Sequence, residues 1–227
     1  EDPWIVPYDS EDMELVAYAK GLNKLALHQK FGIHSVRNVM QISMMSRLVE
    51  QKGIDVVLEA SNALQNLERI QLLIVGEATS NSTRRAVQSL GGAVHGSPYF
   101  VGPEDQHLVL AGSDAILMPS RYEPFGYTHL EGMAYGALPI STHVGGLKDT
   151  VAPFDGSSGY GIIIDHLSPE GIVRAITKAY EIFQNVEQRR TAIAHALKAD
   201  FSWDKPVQQY MEIYSKLLAR DALNKVR

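Results

Sequence analysis

Apolar, β-branched-rich runs recur along the chain at Val39–Met45, Ile70–Val75, Gly92–Val94, Ala115–Met118, Leu138–Ser141 and Gly161–Ile164, with helical stretches between them. Their spacing of about 20–30 residues predicts repeated βαβ units, and so a parallel sheet covered by helices on both faces. Leu72-Leu-Ile-Val75 is apolar at every position. A strand buried on both sides requires this, whereas a strand with one wet face would alternate. Helices are predicted at both ends. Glu11–Phe31 opens with acids in its first turn and places Leu15, Tyr18, Leu22, Leu25 and Ala26 at helical spacing. Asp204 caps a second helix with Pro206 near its first turn, and its apolar face runs Val207, Tyr210, Met211, Tyr214, Leu217 and Leu218. The pattern therefore predicts an α/β, Rossmann-like doubly wound parallel sheet. A leading segment and helix (1–36) precede a core (37–200), and a long exit helix (201–227) follows.

Composition narrows the partners more than the fold. The formal charge of −5 argues against nucleic acid held by a broad basic surface, so an anionic ligand would need a few locally placed cations. The chain has no cysteine, which removes disulfide frameworks and cysteine-based metal sites and suits a reducing compartment. No apolar run approaches the roughly 18 residues of a membrane span. The eight histidines show no ligand spacing with carboxylates, so no metal is expected. The sequence starts at Glu1 without a methionine or a signal-like segment, and the expectation is a piece of a longer protein.

The chemistry concentrates between Ser113 and Val151. Ser113–Ser120 predicts a buried strand, Arg121-Tyr-Glu-Pro-Phe-Gly126 a turn, and Tyr127–Tyr135 a helix closed by Gly136. A strand, a turn and a helix start place free backbone N–H groups at the carboxyl edge of the sheet, where open α/β folds bind ligands and phosphates. Glu123 on the turn can accept hydrogen bonds from sugar hydroxyls. Glu131, a turn into the helix on the face of Tyr127, Leu130 and Ala134, would look back into the same crevice and hold a ribose diol. Spacing alone equally allows a solvated loop acid and an ordinary helix acid. Arg47 follows the first strand and Lys52 comes five residues later, a pair able to clamp a diphosphate or simply two surface cations. Gly145-Gly146, after the Leu138–Ser141 strand, permits close backbone approach to a ligand or a tight turn. His129 is expected to be packed, His107 structural, and Trp203, Tyr210 and Tyr214 are expected to dock the exit helix.

Glu123-Pro-Phe-Gly126 with a second glutamate at 131 resembles the signature of retaining glycosyltransferases of the two-Rossmann-domain (GT-B) type. Further matches run in order along the chain and resemble starch and glycogen synthases. They are Asn23-Lys24 through Gly32-Ile33, Ser46-Arg-Leu48, Gln51-Lys-Gly-Ile-Asp55, Pro119-Ser-Arg-Tyr-Glu-Pro124, Gly145-Gly-Leu-Lys-Asp-Thr-Val151 and Phe201-Ser-Trp-Asp204. The resemblance implies that residues 1–227 form the C-terminal, donor-binding domain of such an enzyme, with the N-terminal domain missing. It implies that Arg47 and Lys52 hold the diphosphate, Glu123 binds the transferred glucose, and Phe125, Gly126, Tyr127 and Thr128 line the sugar and distal phosphate. Glu131 would hold the ribose, and Gly145 and Gly146 would belong to the donor site. The implied substrates are ADP-glucose or UDP-glucose and an α-1,4-glucan acceptor, with no metal or other cofactor. The implied compartment is the cytoplasm, or the plastid stroma of a plant or alga. An aromatic stacks on the base in many such enzymes, and Tyr99 and Phe100 lie in the corresponding region. Phe125 and Glu131 differ from the usual residues of bacterial and plant ADP-glucose enzymes, which leaves the base open and keeps sucrose- and mannosyl-type transferases as an alternative. A non-catalytic nucleotide-sugar or glucan-binding module is a further alternative. A nicotinamide oxidoreductase lacks its G-x-G-x-x-G after the first strand.

Overall fold

The computed structural model describes residues 5–34, 38–99 and 102–224, with the side chains of 103, 104 and 219–224 left aside. Six strands form one parallel sheet: β1 (Met40–Met45), β2 (Ile70–Val75), β3 (Val94–Ser97), β4 (Ala115–Met118), β5 (Leu138–Thr142) and β6 (Ile162–Ile164). Their order is β3-β2-β1-β4-β5-β6. The helices are α1 (Met13–Phe31), α2 (Ile54–Leu64), α3 (Asn81–Gln88), α4 (Pro103–Gly112), α5 (Tyr127–Ala134), α6 (Leu147–Thr150), α7 (Pro169–Gln184), α8 (Val186–Lys198) and α9 (Asp204–Asn224).

Both sheet faces are apolar because successive side chains of each strand point opposite ways. In β2, Ile70, Leu72 and Ile74 enter a core shared with α2 and α7, while Leu73 and Val75 pack against Leu27 of α1 and Leu108 and Val109 of α4. Helix α2 therefore lies against α3 and α7 on one face, and α4 contacts α1 and α5 on the other. This is the Rossmann-like, doubly wound architecture expected of the C-terminal half of a GT-B glycosyltransferase.

Three elements differ from the sequence pattern. The buried stripe of α1 runs Val16, Ala19, Lys20, Asn23 and Leu27, while Leu15, Tyr18 and Leu25 are exposed. Buried polar residues explain the rotation. Lys20 donates to the carbonyls of Ser113 (2.7 Å), Tyr135 (2.7 Å) and Ala111 (3.4 Å), placing its ammonium at the C-termini of α4 and α5. Asn23 exchanges hydrogen bonds with the backbone of Val6. Strand β3 starts at Val94 because Gly92, at φ +68°, turns the chain before it. Helix α9 has its start at Asp204, yet its apolar face is uncovered among the described residues: Tyr210, Met211, Tyr214, Leu217 and Leu218 are all exposed, as is Trp203. The expected docking of Trp203, Tyr210 and Tyr214 onto this body is therefore corrected.

Candidate active site at the sheet switch point

The strand order reverses between β1 and β4, so the loops leaving their carboxyl ends diverge and open a crevice there. After β1 come Ser46, the exposed Arg47, and Leu48, which is buried and bridges to Ala78. A single 3-10 turn, Glu50–Lys52, then leads through Gly53 into α2. Two glycines let the backbones close here. A Cβ on Gly53 (φ +75°) would lie 2.0 Å from the Pro119 carbonyl oxygen, and one on Gly76 (φ +143°) 1.7 Å from that of Ser46.

That closure brings Lys52, on the β1 side, to Glu123, on the β4 side. The ammonium pairs with Glu123 Oε2, and the Ser120 hydroxyl donates to the same oxygen over 3.3 Å. The side chains are 17% and 6% exposed, so the pair is largely withdrawn from water. Glu123 Oε1 has no protein partner among the described residues, which leaves an acceptor of fixed orientation for a ligand hydroxyl. A cleft of about 290 Å³ opens on the pair, walled by Ser46, Phe125, Gly126, Tyr127 and Thr128. Helix α5 starts at this cleft. Its cap, Gly126, is left-handed (φ +91°) and carries no side-chain cap, so the first N–H groups of the helix meet no capping side chain. Phe125 and Tyr127 pack ring against ring, centroids 4.9 Å apart, and both are partly exposed.

The structure thus brings Lys52, Glu123, Phe125, Gly126, Tyr127 and Thr128 to one cleft. Arg47 stands beyond its walls, exposed and without an ion pair among the described residues. Glu131 does not look back into it. The Tyr127–Leu130–Glu131–Ala134 face of α5 is turned toward α9, where it lines a separate groove of about 880 Å³ with Trp203 and Tyr210. Phe125 and Tyr127 form the wall common to both spaces. The glycine pair lies beneath the turn: Gly146 N–H donates to the Glu123 carbonyl (3.1 Å), and a Cβ on Gly145 would lie 1.9 Å from that oxygen. The close approach these glycines permit is to the Glu123–Phe125 backbone. Tyr99 is exposed, its hydroxyl accepting from Gln88 (2.8 Å), and Phe100 lies outside the described residues.

His129 is fully buried behind this turn. Its Nε2 lies 2.8 Å from the Thr150 hydroxyl, and that hydroxyl donates its own hydrogen to the Gly146 carbonyl. The imidazole must therefore donate through Nε2, and burial pushes its pKa down to about 4 against the opposing pull of the Gly126 backbone and Glu123. His107 bonds the Tyr135 hydroxyl (2.8 Å), tying α4 to the end of α5. Spacing gave no sign of one further arrangement. Arg121 donates to both oxygens of Asp55 (2.8 and 2.6 Å), although the two are 66 residues apart. No cluster of three or more potential metal ligands occurs among the described residues, and no helix there is long and apolar enough to cross a membrane.

Residues 28–198 match the family described as glycosyl transferases group 1, which covers most of the chain. The chain belongs to that family. As a group 1 glycosyl transferase it is 34% identical over 217 residues to the glycogen synthase of Yersinia pestis, covering 92% of this chain and 44% of that one. The glycogen synthase of Yersinia enterocolitica matches to the same extent. The chain thus spans less than half the length of these curated relatives. Among solved structures, the catalytic domain of starch synthase IV from Arabidopsis thaliana, bound to ADP and acarbose, superposes with a TM-score of 0.82 at 24% identity. The match takes in 95% of this chain and 45% of that one. Anabaena HepE in complex with UDP-glucose superposes with a TM-score of 0.65 at 21% identity, over 86% of this chain and 52% of that one. These two share the fold.

Proposed function

We propose that this chain is the nucleotide-sugar-binding half of a retaining glycosyltransferase that moves glucose from ADP- or UDP-glucose to an α-1,4-glucan. The observation that carries the reading is the meeting of Lys52 and Glu123 at the β1/β4 switch point, beside the uncapped start of α5. The 34% identity to glycogen synthases supports the choice of substrate class. In this account Arg47, the exposed cation, meets the diphosphate, and Lys52 joins it as charge develops on the departing nucleotide. Glu123 Oε1 accepts from glucose hydroxyls, while Oε2 stays on Lys52 and Ser120. The backbone from Phe125 to Thr128 lines sugar and distal phosphate at a helix N-terminus. Glu131 reaches the ribose only from the α9 side of the Phe125–Tyr127 wall. The acceptor attacks from the face the diphosphate leaves, which retains configuration, and no metal takes part.

The acceptor site and the rest of the glucose pocket belong to a further N-terminal domain, onto which the apolar face of α9 docks. The compartment is reducing, cytoplasmic or stromal, in keeping with the absence of cysteine. Nucleoside diphosphates should raise the melting temperature of the chain, because a ligand that binds only the folded state stabilises it by mass action. ADP, UDP and GDP at millimolar concentration, compared with AMP, test this. A shift with AMP equal to that with the diphosphates would contradict a diphosphate clamp. Glucose transfer by residues 1–227 alone should be negligible, and robust synthesis would overturn the division of labour.

A further inference from the structure

The loops that carry Lys52 and Glu123 are joined by more than that ion pair. Arg121 donates to Asp55 Oδ1 and Oδ2 and, over 2.6 Å, to the Glu50 carbonyl. Its backbone N–H donates to the Gln51 carbonyl (2.9 Å), and Gln51 Nε2 donates to the Tyr122 carbonyl (3.0 Å). These contacts flank Lys52 on the first loop and end one residue before Glu123 on the second. A planar guanidinium that engages one carboxylate and one carbonyl fixes orientation as well as distance, which a lysine in its place does not.

The pair is about two-fifths exposed, 37% for Arg121 and 41% for Asp55, so it adds little to global stability. Its placement serves another end. We propose that Arg121 and Asp55 are positioning residues that hold Lys52 against Glu123 before donor arrives, and so set donor affinity without touching donor. This rests on the donor-site reading above. Without the Arg121 and Asp55 side chains, the 3-10 turn bearing Lys52 keeps only the backbone bond from Arg121 to Gln51, the Gln51 side-chain bond to Tyr122 and the close packing at Gly53, and binding must then order the loosened side chains.

Calorimetric titration of ADP and UDP into the 227-residue chain tests the inference with Lys52→Ala, Arg121→Ala, Asp55→Ala, Arg121→Ala/Asp55→Ala and Arg121→Lys. Arg121→Ala and Asp55→Ala should each weaken nucleoside diphosphate binding about tenfold, the scale of ordering one or two freed side chains. The double variant should bind no worse than either single one, because the two act as a unit. Arg121→Lys, which keeps the charge but not the planar fork, should recover part of the loss. Melting temperatures should stay within roughly 2–4 °C of the parent, as befits an exposed pair. Unchanged affinity in both alanine variants, while Lys52→Ala loses binding, overturns the inference and spares the donor site. Losses that track an equal fall in stability also overturn it, because the role would then be structural. If the parent chain binds neither nucleotide, or if Lys52→Ala binds as the parent does, the donor-site reading itself falls and takes the inference with it.

Discussion

Removing the Glu123 carboxylate should cost far more stability than its place on a surface loop suggests. Glu123 is 6% exposed and its partner Lys52 17%, so deleting either leaves a charge mostly shut away from water. Breaking such a pair from one side typically costs about 3–5 kcal/mol, whereas replacing both partners by apolar groups is often neutral. Lys52 keeps the better route to solvent, so Glu123→Met should sit near the lower end, about 3 kcal/mol. For a chain of this size that is a fall of roughly 6–12 °C in melting temperature. Lys52→Met should cost less, since Glu123 then retains the Ser120 hydroxyl as a donor. Lys52→Met combined with Glu123→Met should lie within about 1 kcal/mol of the parent. Urea unfolding followed by circular dichroism supplies the four free energies, with a common slope showing that the unfolded ensembles match. Additive costs, or single variants each within about 0.5 kcal/mol of the parent, would show that the pair is solvated and the buried clasp is wrong.

Three further outcomes follow from neighbouring groups. His129 has a folded pKa of about 4, below its unfolded value, so the unfolded chain binds the extra proton between about pH 6.5 and 4. Stability from this group is therefore full above pH 6.5 and is lost as pH falls toward 4, by up to about 3 kcal/mol. Denaturation curves across that range should be flatter for His129→Gln, and identical pH slopes would refute it. Gly145→Ala must bear both a left-handed φ of +49° and a Cβ 1.9 Å from the Glu123 carbonyl oxygen, so a loss exceeding about 2 kcal/mol is expected, with reduced expression if the turn is displaced. Amides of α9 should exchange with deuterium well before those of β1 and β4, because few contacts hold that helix to the body; equal protection would place it in the cooperative core.

Much of the fold was legible because a doubly covered sheet writes continuous apolar runs. β2 has the predicted bounds, β4 coincides with the apolar run Ala115–Met118 inside the longer Ser113–Ser120 stretch, and β1, β5 and β6 differ by one residue at one end. Strand β3 was less legible because it is an edge strand reading Val-His-Gly-Ser, in which only Val94 is buried. The buried face of α1 was hidden for a different reason. Lys20 and Asn23 face inward to satisfy carbonyl and amide groups, which hydrophobic spacing cannot reveal. Residue types and motif order singled out Lys52 and Glu123 as candidates, but their pairing joins positions 71 apart and depends on the closure at Gly53. Glu131 was expected in the crevice from helical periodicity and from the motif resemblance, and neither says which neighbour a helix face meets. The Asp55–Arg121 clasp had a trace in the sequence, since both residues lie inside recognised motifs. Nothing in a linear reading joined them.

The role proposed for Arg47 and Lys52 at the β1 edge is to hold a nucleoside diphosphate. Calorimetry of ADP and UDP against the parent chain, Arg47→Ala and Lys52→Ala tests it most directly. Each charge-assisted contact is worth roughly 1.5–3 kcal/mol, so each substitution should weaken binding by roughly tenfold to a hundredfold. Diphosphate binding that survives both substitutions undiminished would contradict the account.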